Sequence, residues 1–314
     1  MSGTSLDGVD AAIIETDGAQ VFGFGDAHFR PYSADEREAL SRATQDAIKW
    51  NFIGPPPNSF ALAEQIIHTA HIEAAKVISD TNPDIDLVGF HGQTMLHHAA
   101  AKDKAGQTLQ LGVGAVLARA LGIDTVYDFR SHDVAQGGQG APLAPVYHKA
   151  LAEMSGLDLP VAVLNIGGVS NVTVINSDGS LLASDCGPGN GPLDSWVMLC
   201  GQGEYDKDGR LSLAGTPDIA LLSRWLNRPF FAAPVPKSAD RWDFDVQDDL
   251  KALSAENGAA TLAAFCAVGI GKCIADANID IGAIIVCGGG RKNPASMAGL
   301  AEHLPCAVIS AEDL

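Results

Sequence analysis

A strand-and-turn pattern occurs twice along this chain, and it limits the possible folds more than any other feature. In the second half, an apolar run at 161–166 ends in Gly167-Gly168, continues as 171–175, turns at Ser177-Asp178-Gly179 and resumes at 181–185. In the first half, a glycine turn at 3–8 opens into a run at 8–16, followed by Asp17-Gly18 and a second run at 21–29. Asp-Gly between apolar runs is a hairpin signal. Each half later carries another strand-like segment that ends at glycine, 87–94 and 283–290, and each is preceded by a helix-like segment, 61–79 and 259–277. Apolar residues in those segments recur at three- and four-residue spacings, the helical period. The sequence therefore predicts one α/β unit used twice, each half beginning with strand, glycine turn, strand, hairpin and strand. Two such units facing each other would gather the glycine turns at one cleft. The Gly/Pro-rich stretch 136–145 is the expected linker and hinge between them.

With 314 residues and 46% hydrophobic content, the chain is large enough for two cores. Its formal charge of −18 argues against a nucleic-acid surface, which needs a basic patch. Any anionic ligand must be met by local cations and backbone amides. No basic n-region followed by an apolar h-region is visible at the start, and the longest apolar stretch, 259–270, is too short for a bilayer span. A cytoplasmic protein with no membrane partner is expected. The six cysteines show neither C-x-x-C pairing nor zinc-ligand spacing, and they read as reduced, mostly buried thiols.

The glycine turns are 3–8, 187–190 and 288–290. Backbone N–H groups at such turns can cradle phosphate oxygens. None has the P-loop pattern or the spacing of a dinucleotide fingerprint. The carboxylates beside the turns are Asp7, Asp10 and Asp185, and phosphoryl transfer from a nucleotide needs Mg²⁺ and a positioned base. Asp7 reads equally well as a turn former and Asp10 as a solvated strand residue. Asp185 stands out because Ser184-Asp185-Cys186-Gly187-Pro188-Gly189-Asn190 restricts the backbone around an acid at a strand end. Arg130, after the strand 125–127, could clamp a carboxylate or anionic sugar substituent, or pair with Asp128 or Asp133. His68 and His71 share a helix face and His91, His97 and His98 follow a strand, but no H-E-x-x-H pattern joins them and a metal site is not expected. Of these, His91 is the candidate to touch substrate.

Taken together, Met1–Asp10, Gly89–Thr94, Asp128-Phe129-Arg130, Gly137–Leu143, Asn165–Asn171, Asp185–Asn190 and Pro236-Lys237-Ser238 resemble the anhydro-N-acetylmuramic acid kinases of bacterial cell-wall recycling. The motifs run in order along nearly the whole chain. The resemblance implies an α/β fold of two actin/hexokinase-like domains, built from duplicated ribonuclease H-like units around a central cleft. The expected domains are 1–138, with an incomplete first strand, and 139–314, without the closing C-terminal helix that relatives carry. It also implies a kinase that uses ATP and Mg²⁺ to open 1,6-anhydro-N-acetylmuramate hydrolytically while phosphorylating O6, giving N-acetylmuramate 6-phosphate. By the same resemblance Asp185 is the catalytic base. Gly3, Thr4, Ser5, Asp7, Gly8, Asp10, Asn165, Gly167, Gly168, Gly288 and Gly289 contact the nucleotide, and His91, Gln93, Thr94, Arg130 and Asn190 contact the sugar. No acid is assigned to Mg²⁺. Relatives often form dimers, so a homodimer is consistent with the resemblance. One departure is that Lys237-Ser238 is followed by Ala239-Asp240 where the family has Thr-Gly. A kinase for another sugar or acid, or a non-catalytic nucleotide- or sugar-binding regulator, remains an alternative at this level.

Overall fold

The computed structural model describes the chain except Thr4, Ala99, residues 101–104 and Asp240, and except the side chain of Arg241. Two compact units are present, Met1–Leu143 and Ala144–Leu314.

The second unit is organised by one five-stranded sheet. Its strands are β7 (Val161–Ile166), β8 (Val169–Ile175), β9 (Leu181–Pro188), β10 (Ala283–Cys287) and β11 (Ala307–Ser310), in the spatial order β11-β10-β7-β8-β9. β7, β8 and β9 form an antiparallel meander, and β10 and β11 add in parallel to the β7 edge. That is the arrangement of a ribonuclease H-like unit. β7 is apolar at nearly every position because both faces of the sheet are covered. Ala162, Leu164 and Ile166 point into a core with Cys266, Ile270 and Cys273 of the helix Ala255–Ala277, while Val161 and Val163 meet Ala152 of the helix Ala144–Ser155 on the other face. A third cluster, around Trp225, Phe231, Phe244 and Phe265, fills the space beside that long helix.

The helix Ala255–Ala277 extends well beyond the apolar run 259–270. By length and composition it could cross a membrane, but it is mostly buried within the unit, where it is the central core helix.

In the first unit the strands are β1 (Gly8–Thr16), β2 (Val21–Pro31), β3 (Leu87–Phe90), β4 (Gln93–His98), β5 (Gln107–Leu111) and β6 (Asp124–Tyr127). They form three separate pairs: the antiparallel hairpin β1–β2, the parallel pair β3–β6 and the antiparallel pair β4–β5. The hairpin corresponds to β8–β9 and the parallel pair to β10–β11. Among the described residues nothing corresponds to β7, which joins those two pieces in the second unit. Only the bridge between Ser2 and Val9 lies at that place. The expected opening strand of the first half is therefore absent here, and the packing registers it. Leu87 on β3 is 57% exposed, whereas Ile284 on β10 is fully buried.

The core of the first unit lies instead between its helices. Leu40, Ala43 and Ala47 of the helix Ala34–Trp50 share a cluster with Ala63, Ile67 and Ala70 of the helix Ser59–Ser79. The first of these helices begins at a capping box: the Ser33 hydroxyl accepts from the Glu36 N–H, and the Glu36 carboxylate accepts from the Ser33 N–H.

His71 is enclosed in this core, edge-on to the Phe90 ring with centroids 4.9 Å apart. Its Nδ1 lies 2.7 Å from the Ile67 carbonyl, to which it donates, and its Nε2 is buried without a hydrogen-bond partner. Burial drives its pKa from 6.5 down to about 3. Because the folded pKa lies below the unfolded one, the unfolded chain binds the extra proton first. Stability is retained above pH 6.5 and falls as pH drops toward 3, by at most about 1.4 kcal/mol per pH unit from this group. We expect His71→Leu to flatten this acid dependence in urea melts at pH 7, 5.5 and 4. Parallel losses in parent and variant would remove His71 as the cause.

Candidate active site

In the second unit, Asp185 sits on β9 beside a bulge. β8 pairs Asn171 with Asp185 and Ser170 with Gly187, leaving Cys186 as the extra residue. A bulge twists the strand and re-aims the side chains next to it. The Cys186 side chain goes fully into the core. The Asp185 carboxylate meets a strap formed by residues 235–239. Oδ2 accepts from the Ala239 N–H at 2.8 Å, and the Asp185 N–H donates to the Lys237 carbonyl at 2.9 Å. Among the described residues, Oδ1 accepts no hydrogen bond. Burial pushes the carboxyl above the usual range, and the Ala239 N–H partly offsets this.

The glycine turns of this unit converge at the same end of the sheet. The Gly189 and Gly191 N–H groups both donate to the Gly168 carbonyl at 3.1 Å, and the Asn190 N–H donates to the Gly167 carbonyl at 2.7 Å. The Asn190 amide reaches the Ile166 carbonyl at 3.5 Å. A β-carbon on Gly289 would come within 3.4 Å of that amide nitrogen. Gly288 has φ +79°, and a β-carbon there would lie 2.4 Å from the Asn165 side-chain oxygen. Asn165, Gly167, Gly168, Asn190, Gly288 and Gly289 thus form one cluster. Asn190 stands with the glycines, so its side chain supports the turn as well as facing any ligand held there.

In the first unit, the N-terminal turn is held from within. The Ser5 hydroxyl donates to Asp7 Oδ1 at 2.7 Å, the Gly8 N–H donates to the same oxygen at 3.1 Å, and the Leu6 N–H donates to the Gly3 carbonyl. Thr4 lies outside the described residues. Gln93 is buried, accepting from the Ser2 hydroxyl and donating to the Gly3 carbonyl at 3.2 Å. Among the described residues it contacts the turn, which it braces from below. A β-carbon on Gly8 would strike the Arg30 carbonyl at 2.5 Å, so packing against β2 alone requires glycine there. Asp10 is exposed on β1, and partial desolvation raises its carboxyl, with the Asp7 charge adding to the effect.

A second group in this unit surrounds a cavity of about 240 Å³ lined by Phe90, His91, Gln110, Tyr127, Asp128 and Ser131, among others. Arg130 donates to the Gly140 carbonyl at 2.6 Å and to His91 Nε2 at 2.9 Å. An arginine can only donate, so Nε2 is the acceptor and the His91 proton is on Nδ1, which gives it to the Gly92 carbonyl at 3.1 Å. Burial, with Arg130 assisting, lowers the His91 pKa and keeps the ring neutral. Asp133 accepts from the Gly140 N–H at 2.7 Å. Among the described residues Arg130 has no carboxylate within ion-pair distance, so the pairing with Asp128 or Asp133 considered from sequence does not form. Thr94 accepts a long 3.4 Å bond from the Gln110 amide, and Gln110 Oε1 is buried without a partner. Gln110 carried no motif, and Ser184 and Ala239, though they lie in quoted motifs, were given no role by sequence reasoning. The described residues contain no group of three or more His, Cys, Asp or Glu that could hold a metal ion by themselves.

The turn geometry separates two kinds of glycine. A β-carbon on Gly189 would lie 2.1 Å from the Gly167 carbonyl oxygen, whereas one on Gly168 would meet nothing within 4 Å. Gly189→Ala should therefore cost about 1–3 kcal/mol through backbone displacement. Gly168→Ala should leave the melting temperature essentially unmoved. Calorimetry on both variants checks the pair, and equal melting temperatures would contradict the packing described.

A family model described as anhydro-N-acetylmuramic acid kinase matches residues 1–314. The protein of that name from Caulobacter vibrioides is 47% identical, with 99% of this chain and 85% of that protein aligned. The one from Phenylobacterium zucineum is 44% identical over 100% of this chain and 86% of its own length. The one from Mesorhizobium japonicum is 43% identical over 100% and 86%. Similarity to solved structures is distant: a ROK family glucokinase from Streptomyces griseus aligns over 96% of this chain and 90% of its own, with 13% identity and a TM-score of 0.35, and no conclusion is drawn from it.

Proposed function

The chain belongs to the anhydro-N-acetylmuramic acid kinase family, a family of ATP-using phosphotransferases of peptidoglycan recycling, and from that premise we propose that Asp185 is the base of its reaction. The observation that carries this reading is the half-engaged carboxylate: Oδ2 is fixed by the Ala239 N–H while, among the described residues, Oδ1 accepts nothing. A carboxylate so held has one oriented oxygen for a water molecule. Its raised pKa makes it a better proton acceptor than an ordinary aspartate, provided it is ionised at the working pH.

In the proposed reaction Asp185 takes a proton from water, whose oxygen bonds to the anomeric carbon of 1,6-anhydro-N-acetylmuramate. The C1–O6 bond breaks, and O6 bonds to the γ-phosphorus of ATP as ADP leaves. The phosphoryl group does for O6 what a general acid does in an ordinary glycosidase. The product is N-acetylmuramate 6-phosphate. Arg130, with no carboxylate partner among the described residues and oriented by His91 and Gly140, would receive the carboxylate of the sugar. The cluster of Asn165, Gly167, Gly168, Gly288 and Gly289 would receive the nucleotide.

Mg²⁺ commonly binds through one or two carboxylates together with substrate phosphates and water, so it does not need a protein cage. Asp7 and Asp10 fit that demand, because burial, with a smaller contribution from Asp7 and against the Met1 ammonium, raises the Asp10 carboxyl, and a shared cation would favour both charges. When bound, the ion would offset charge on the phosphate oxygens.

Asp185→Asn should retain ATP binding by calorimetry and lose at least about a hundredfold in kcat, since an amide cannot accept the proton. A variant within a few-fold of the parent would exclude Asp185 as the base. In ¹⁸O-water the label should enter the C1 hydroxyl and be absent from the phosphate; label in the phosphate would mean that water attacks phosphorus. Arg130→Met should raise KM for the anhydro sugar by about tenfold with little change for ATP, and steady-state kinetics with each substrate varied would show whether the effect is confined to the sugar.

A further inference from the structure

The contacts of Asp185 depend on a segment that has no regular hydrogen-bonding ladder of its own. The strap 235–239 lies beside β9 as turns and bends, so its position is set by a few specific bonds. The Asp185 N–H donates to the Lys237 carbonyl and the Ala239 N–H donates to Asp185 Oδ2. The remaining links pass through one side chain, Ser184, which is 6% exposed. Its hydroxyl oxygen accepts from the Lys237 N–H at 3.1 Å. It has two carbonyls within reach of its own proton, Asp185 at 2.9 Å and Lys237 at 3.3 Å. The Lys237 side chain pins the other end of the strap, with Nζ donating to the Ala233 carbonyl at 3.2 Å and lying 4.7 Å from the centre of the Phe230 ring.

We propose that Ser184 is a positioning residue for the reaction: its hydroxyl staples the strap to β9, so that the Ala239 N–H holds one oxygen of the Asp185 carboxylate and leaves the other directed at water. The proposal rests on the reading of Asp185 as the base. Without the hydroxyl, the Lys237 N–H loses its acceptor while the Lys237 carbonyl keeps the Asp185 N–H, and a half-buried backbone donor left unpaired is costly enough to shift a short irregular segment. Ala239 moves with it. The carboxylate then gains rotational freedom and loses the Ala239 donor that stabilises its charge.

The two effects can be read separately. Loss of orientation lowers kcat with little change in either KM, because Ser184 touches neither substrate in this reading. Loss of the donor raises the pKa of Asp185, since burial continues to push it up and the opposing N–H is gone. The base works only when ionised, so activity rises with pH through this pKa and the acid limb of kcat must move to higher pH. Among the described residues, the other ionisable groups near this part of β9 include Cys186 on the strand, Cys266, Cys273 and Asp276 on the long helix, His148 on the helix Ala144–Ser155, Asp243 on the turn after the strap, and Lys237 itself; the Cys273 thiol also bonds to the Ser184 hydroxyl. None of them is removed by the substitution.

The experiment is the pH dependence of kcat and both KM values for the parent, Ser184→Ala, Ser184→Thr, Ala239→Pro and Asp185→Asn. Ser184→Ala should lose about tenfold in kcat at neutral pH with KM values within about twofold, and its acid limb should move up. Ser184→Thr keeps a hydroxyl and should restore both. Ala239→Pro removes the N–H directly and should reproduce the shifted limb with Ser184 intact. If Ser184→Ala has parental kcat and pH profile while Asp185→Asn is inactive, the staple is wrong and the base assignment stands. If Asp185→Asn is active, the base assignment itself fails and takes the staple with it. Should Ser184→Ala not fold, Ala239→Pro decides: an unmoved acid limb in that variant overturns the proposal.

Discussion

The second unit depends on backbone packed directly on backbone. The turn after β9 lies on the turn after β7 with no side chain between them, joined by hydrogen bonds from Gly189, Asn190 and Gly191 to the carbonyls of Gly167 and Gly168. Such closeness leaves no room for a β-carbon at Gly189, and it fixes where β9 ends relative to β7. The height of Asp185 above the sheet, the start of the helix Gly191–Leu199 and the placement of Asn190 against Gly289 all follow from that contact. Glycine at these positions is thus demanded by the fold before any ligand arrives, and the phosphate-friendly backbone comes as a by-product of that demand.

Much of this was legible in the sequence because it is encoded in local period. The hairpin at Asp17-Gly18, the meander 161–185 and the two long helices are written in alternation or in three- and four-residue spacing, and the structure has them. What the sequence did not reveal is of another kind. The bulge at Cys186 depends on register with β8, which no window along one strand can report. The strap that holds Asp185 has no periodicity, and its partner is fifty-odd residues away, so Ser184 looked like an ordinary strand residue. Gln93 was placed among the sugar contacts by the resemblance alone, and no motif signalled that its amide also bonds to Ser2 and Gly3. The pattern of later elements implied an opening strand in both halves and the resemblance an incomplete one in the first; among the described residues only the second unit's sheet has it.

Electrostatics divides along the same line. A chain of charge −18 must admit a triphosphate and a sugar acid, and its net field opposes both. The groups available to receive them are accordingly local and short-ranged. Backbone amides at glycine turns are one kind. The other is the half-buried Arg130, which among the described residues binds a neutral imidazole and a carbonyl in place of a carboxylate. Neutral partners orient a cation without consuming it.

The packing of thiols behind β9 has a consequence for how this enzyme can be watched. Cys186, Cys266 and Cys273 are all buried between the strand that carries Asp185 and the helix Ala255–Ala277, whereas Cys200, Cys287 and Cys306 are partly open. A thiol reagent reaches the first three only when the helix lifts from the sheet, so their alkylation is a clock for breathing of the layer beneath β9. Cys200 and Cys306, reacting without that opening, supply the time base within the same molecule. The native chain therefore carries its own probe of whether ligands quiet the floor of the site, with no label to be engineered.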